Sequence, residues 1–251
     1  MKKKTVYFIV IGLCTVILIG FLAFALIWNG VILLNNPSRT KYPVRGVDVS
    51  HYQGEIDWNV LAEQDVLFAF IKATEGSTYI DEYFDYNYTS AKESGITVGA
   101  YHFFSYDSKG ITQAENFIAN VEPFEGMLPP VIDLEFYGDK AKNPPERETV
   151  SKELNDMLLA LEGYYGLKPI IYATEASYDL YLSGDYGEYD IWIRNVIAKP
   201  KLPDGREWTF WQYTNREILE GYSGEERFID INVFCGSKDE FDNYPRYSEN
   251  E

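Results

Sequence analysis

Leu128-Pro129-Pro130-Val131-Ile132-Asp133-Leu134-Glu135 is a short apolar run halted on one side by two prolines and ended on the other by two carboxylates. In a β-strand, residues i and i+2 share a face, with Cα atoms roughly 6.6 Å apart at about 3.3 Å per residue. Asp133 and Glu135 therefore point the same way. Two acids on the buried face of an apolar strand are costly unless something satisfies or uses them. The pair marks the first place to look for chemistry.

Working outward, short apolar runs alternate with helical patterns. Strand composition is found at 44–50, 67–73, 96–104, 131–135, 169–173, 190–193, 209–213 and 228–234. Helical patterns occupy 58–64, 83–94, 111–121, 145–164 and 175–182. The best of them, 145–164, carries Val150, Leu154, Met157, Leu158 and Leu161 at helical spacing. This alternation predicts an α/β fold with a mostly parallel sheet, and eight strands with fewer than eight helices predict an incomplete, TIM-like (β/α) barrel. Functional groups on such a barrel gather at strand C-termini. Polar residues do fall near those ends: Asp48, Glu75, His102, Asp133, Glu135, Tyr172, Arg194, Gln212 and Asp230. An acid after a strand is often only a helix cap, but that explanation must be repeated at every strand. A shared site is stated once.

The N-terminus reads differently. Lys2, Lys3 and Lys4 precede a stretch from Thr5 to Leu34 without a charge, longer than the roughly 20 apolar residues that span a bilayer. It reads as an uncleaved transmembrane helix; a cleaved signal peptide is the rival, since Ala23-Phe24-Ala25 resembles a cleavage site. Arg39, Lys41 and Arg45 nearly cancel the charge bias, and the leading lysines favour an inside N-terminus with the large domain outside. The expected layout is cytoplasmic lysines and anchor at 1–34, linker at 35–43, catalytic domain at 44–241 and a frayed polar tail at 242–251.

Composition excludes several function classes. The formal net charge is -17, so a nucleic-acid backbone or an anionic membrane face is an unlikely partner. Cys14 and Cys235 are too far apart in context to suggest a disulfide, and neither a metal cluster nor a cofactor motif is present. A monomer is expected.

Seven motifs in register, GVDVSHYQGEIDW (46–58), IKATEG (71–76), GAYHFF (99–104), PPVIDLE (129–135), IIYAT (170–174), WTFWQYT (208–214) and FIDINVF (228–234), resemble glycoside hydrolase family 25, the Chalaropsis-type lysozymes, over roughly 45–241. The resemblance implies a flattened barrel and cleavage of the β-1,4 bond between N-acetylmuramic acid and N-acetylglucosamine in peptidoglycan glycan strands. It also implies Glu135 as proton donor, Asp133 beside it, Asp48 and Asp230 as further site acids, and Tyr101, Tyr172, Trp211 and Gln212 as groove residues.

The chemistry agrees with the residues: glycosidic hydrolysis uses one carboxyl group to protonate the leaving oxygen and a second group at the anomeric centre. Neighbouring acids and poor solvation would raise the donor's pKa. The second role stays open between a direct nucleophile, an activated water and the substrate's own N-acetyl group, the last being favoured. Arg194 departs from the family pattern and could pair with a site acid or contact a substrate carboxylate. The alternatives are a silent wall-binding module, against which all four acids stand, and a chitinase-like barrel, which would carry spaced aspartates where Pro129 to Ile132 stand. His102 reads as a hydrogen-bonded core residue.

Overall fold

The computed structural model describes residues 3–249 of the 251-residue chain; Lys2 and the last two tail residues lie outside the described residues. Most of the uncharged run forms one helix, α1 (Lys3–Trp28), whose 6–28 portion is apolar and unburied; residues 29–34 leave the helix.

Eight strands make the barrel: β1 (Arg45–Val49), β2 (Phe68–Glu75), β4 (Thr97–Phe103), β5 (Val131–Leu134), β6 (Ile170–Thr174), β7 (Ile191–Arg194), β8 (Phe210–Glu217) and β9 (Ile229–Phe234), with a two-residue edge strand β3 (Tyr79–Ile80) hairpinned onto β2. Neighbours run β1-β2-β4-β5-β6-β7-β8-β9, and β9 pairs back onto β1, closing the ring. The ring is closed by hydrogen bonding with fewer than eight helices around it, as the count of helical patterns implied, because closure needs strand pairing and not a helix in every connection. The sheet is mixed. Six successive pairs from β1 to β8 are parallel, whereas β9 is antiparallel to both its neighbours.

Helices α2 (Trp58–Ala62), α3 (Phe84–Glu93), α4 (Gly110–Asn120), α5 (Arg147–Tyr165) and α6 (Glu175–Ser177), which runs on into a π-helical turn Tyr178–Leu182, follow β1, β3, β4, β5 and β6 in turn. The five apolar positions expected on α5 are all buried, and the helix stops at Gly166 with φ of 68°, a left-handed backbone that glycine adopts without strain. Between β7 and β8 no helix forms among the described residues. There the outer face is covered by the segment from α1: Tyr42 packs on Trp208 and Trp211, with ring centroids 5.8 and 6.1 Å away.

Strand alternation sorts side chains into two cores. Phe68, Phe70, Val131, Ile170, Tyr172, Trp192, Phe210 and Phe234 pack inside the ring, while Ile132, Leu134, Ile171, Ile193 and Trp211 pack outward among the helices. Below the ring a final helix, α7 (Lys238–Asp242), brings Phe241 against Phe68 and Phe234, plugging the floor. The expected fraying does not hold for 242–249: the Tyr244 hydroxyl donates to Asp190 at 2.6 Å, and the Tyr247 N–H donates to the Met127 carbonyl at 2.8 Å. Two tyrosines in a polar tail carry enough apolar area to hold it down.

Candidate active site

The inward alternation that stacks Val131 in the ring puts Asp133 two residues higher, at the mouth, with Glu135 just past the end of β5. Asp48, at the same level of β1, lies directly across the pairing from Asp230 on β9. A cleft of about 520 Å³ opens over this end and is lined by all four acids together with Tyr101, Tyr172, Arg194 and Gln212. A second hollow continues it past Asp48 and Asp230 to Asn215, Glu226 and Phe228. Because β9 is antiparallel, Asp230 reaches the mouth from the start of its strand and not from the end.

Trp211 is the exception among the expected groove residues. It packs in the outer core, and its Nε1 donates to the Asn195 carbonyl at 2.8 Å. Gln212 points inward, so its neighbour must point out; the two cannot share the groove.

Asp48 and Asp230 are bound into a polar network. Gln212 Nε2 donates to both, at 3.0 Å to Asp48 and 2.9 Å to Asp230, and Asn232 Nδ2 donates to Asp48 at 2.7 Å. Each amide is itself aimed: the Tyr172 hydroxyl donates to Gln212 Oε1 at 2.9 Å, and Trp192 Nε1 to Asn232 Oδ1 at 2.8 Å. Asp133 is held otherwise. It is almost fully buried, and its Oδ1 has no hydrogen-bond partner among the described residues. A buried polar atom without a partner is costly, which makes it a natural acceptor or donor for a bound substrate.

Burial raises every one of these acids. Asp48 is pushed up to about 6 by desolvation, opposed by the Asn232 and Gln212 hydrogen bonds and the Arg194 charge. Asp230 lies well above the usual range through burial and then the Asp48 charge, and Asp133 through burial and then the Glu135 charge, with Lys72 pulling back. Glu135 is raised by burial, with Arg194 opposing and Asp48 adding. The cleft thus holds carboxyl groups that keep protons to higher pH than exposed acids do. His102 is fully buried between Thr74 and Gln113 and pushed down to about 4, a neutral core residue as expected.

Lys72 was not foreseen. It projects from β2 into the cleft, 8% exposed, with its Nζ 2.8 Å from Glu75 and 4.8 Å from the centre of the Phe103 ring. A lysine inside the apolar run Phe68 to Ala73 was the available signal. Tyr52, Phe103, Phe136 and Trp192 also line the cleft unannounced, each indistinguishable in sequence from a core aromatic.

The sequence pattern of Glycosyl hydrolases family 25 matches residues 47–222. The chain belongs to this family. A family 25 glycosyl hydrolase from Bacillus anthracis is 56% identical and superposes with a TM-score of 0.80 over 84% of this chain and 97% of that one. Lysozyme M1 of Streptomyces globisporus is 34% identical over 204 residues, covering 77% of this chain and 68% of the relative. An N,O-diacetylmuramidase of Chalaropsis sp is 34% identical over 211 residues, covering 76% and 95%. The matched region spans β1 to the β8–β9 connection, so family 25 similarity covers most of the ring and three of the four acids; Asp230 lies beyond the 47–222 match.

Proposed function

We propose that the protein is a membrane-tethered muramidase, hydrolysing the β-1,4 bond between N-acetylmuramic acid and N-acetylglucosamine in peptidoglycan. Family 25 membership and the lysozyme and N,O-diacetylmuramidase relatives support the activity. One observation carries the assignment of residues: four carboxyl groups from β1, β5 and β9 meet in one cleft, with Glu135 on the more open side and Asp133 buried beside it. With helices outside β1 to β6, the ring reads as a TIM-like barrel whose last strand is reversed.

Glu135, with its raised pKa, holds the proton that the leaving glycosidic oxygen needs. Asp133 offers its unpaired Oδ1 to the N–H of the substrate's acetamide, turning the acetamide carbonyl toward the anomeric carbon so that it attacks as the glycosidic bond breaks. Asp48 and Asp230, fixed by Gln212 and Asn232, supply negative potential toward the oxocarbenium-like centre and orient the water that opens the resulting ring. Tyr101 and Tyr172 form the wall under the sugar, and Arg194 is placed to meet a substrate carboxylate. No cofactor or metal is used in this scheme. The helix 6–28 serves as a single-pass anchor with the barrel on the outer side, and the barrel works as a monomer.

The test is the purified chain on a wall suspension. Glu135→Gln should lose 10²-fold or more in clearing rate, in line with removal of a general acid, with an unchanged circular dichroism spectrum. New reducing ends in wild-type digests should be muramic acid; N-acetylglucosamine ends would overturn the bond assignment.

A further inference from the structure

Where α1 meets the barrel, the contacts are specific. The Trp28 carbonyl accepts from Arg216 Nη1 at 2.8 Å, and the same guanidinium lies 4.6 Å from the centre of the Trp28 ring and 5.3 Å from that of Phe228. Gly30, at φ of 72°, lies so close to the Arg216 carbonyl oxygen that a side chain would overlap it. Further on, Asn35 Nδ2 donates to the Asn195 carbonyl at 3.3 Å. Arg216 is near the end of β8, Asn195 follows β7 and Phe228 precedes β9. All three lie at the end of the ring that carries the cleft, and Phe228 lines the cleft's second hollow.

Magnitudes then place this rim. The 23 residues from Val6 to Trp28 extend about 34 Å at 1.5 Å per residue, enough for the roughly 30 Å hydrocarbon layer. Trp28 therefore falls at the interface, where tryptophan is favoured. The headgroup layer is only about 5–7 Å deep on each side, so groups bonded to the Trp28 carbonyl lie within it.

The surface there has matching chemistry. Val31, Ile32, Leu34, Ile197 and Ile218 are exposed, Ile197 at 72%, although the first three flank the docked segment and the last two lie on the loops it docks against. Although the chain as a whole is strongly acidic, Arg216 and Arg227 supply local cations for anionic headgroups at this rim. Of the acids on the same segment, Glu217 lies 3.8 Å from Arg45 and Glu226 lines the cleft's second hollow, while Glu220 and Glu225 are exposed.

We infer that the rim formed by residues 28–34, 195–198 and 216–218 seats on the lipid bilayer, so that the cleft opens onto glycan lying at, or still lipid-linked to, the membrane face. This rests on the anchor reading above, and the two fail separately. Three single-cysteine forms of the full chain, keeping Cys14, keeping Cys235, or carrying Ile218→Cys alone, are labelled with a fluorophore in lipid nanodiscs. Quenching by spin labels is read at acyl-chain depth for Cys14 and at headgroup depth for the other two. Cys235 follows β9 on the barrel floor and is exposed.

The expected result is deep quenching at Cys14 and headgroup quenching at least threefold stronger at residue 218 than at 235. Arg216→Ala should remove that difference and lower the rate on lipid-linked glycan relative to soluble glycan, leaving the soluble rate unchanged. Equal weak quenching at 218 and 235 with Cys14 still quenched overturns the seated rim alone. Loss of quenching at Cys14 overturns the anchor.

Discussion

Gln212 holds two acids with one amide. Its Nε2 faces both Asp48 and Asp230, and hydrogen bonds to the charged form of a carboxyl group lower its pKa. Without it, two buried acids would face each other across the β1–β9 pairing with less to offset their repulsion. Gln212→Leu, close in volume, should therefore move the Asp48 titration to higher pH. The measurement is the pH profile of kcat/KM, whose limb assigned to Asp48 should shift upward; an unmoved profile would show that the amide does not tune the pair. The acids were legible because charged residues at strand ends are conspicuous, whereas the family resemblance puts both Trp211 and Gln212 in the groove, which strand alternation forbids. Lys72 went unseen because one polar residue in an apolar run has no distinguishing periodicity.

Between elements, contact is closest where α4 meets α5. A Cβ at Gly110 would overlap the Glu153 carbonyl oxygen, and the Gly110 N–H donates to Glu153 Oε2 at 2.7 Å. Gly110→Ala must push two helix backbones apart, so a loss of about 3 kcal/mol or more is expected by denaturant unfolding. A loss below about 1 kcal/mol would mean that the interface yields easily. Tyr42 is a second test. It roofs β8 where a helix would otherwise lie, and Tyr42→Ala should cost about 3 kcal/mol, the scale of a deleted buried aromatic. An unchanged midpoint would show that the covering segment is dispensable. The eight strands were legible from apolar runs bounded by turn residues. The direction of β9 was legible only in part: the 218–228 connection, without helical pattern, is short for a parallel crossover, which takes a dozen or more residues. That β9 also closes onto β1 depends on partners nearly 190 residues apart, which local pattern does not reveal.

Across the whole molecule, the raised acids set a pH dependence of stability. A carboxyl group whose pKa is higher folded than unfolded binds more protons in the native state through that interval. Its contribution is complete below the unfolded value and is lost as pH rises through the folded one. For Asp48 the window runs from 3.8 to about 6, and Asp133, Glu135 and Asp230 shift in the same direction. A net charge of -17 adds repulsion with the same sign. Calorimetry should give a higher Tm at pH 5 than at pH 7.5, and Asp48→Asn should flatten part of that slope. A Tm that rises toward neutrality would contradict the burial of these groups.

The ring's closure has a temporal side. Strand β9 supplies both of the antiparallel seams, to β8 and to β1, and it is the last of the eight barrel strands in chain order. Until it emerges, the earlier seven form an open sheet with two unpaired edges and an unplugged floor, since Phe241 follows β9. A nascent chain is therefore kept from locking into its final shape until the very stretch that bears Asp230 has emerged. Arrival of Asp230, the last of the four cleft acids, and completion of folding coincide, and a chain stalled before residue 229 carries Glu135 on an open sheet with no finished cleft.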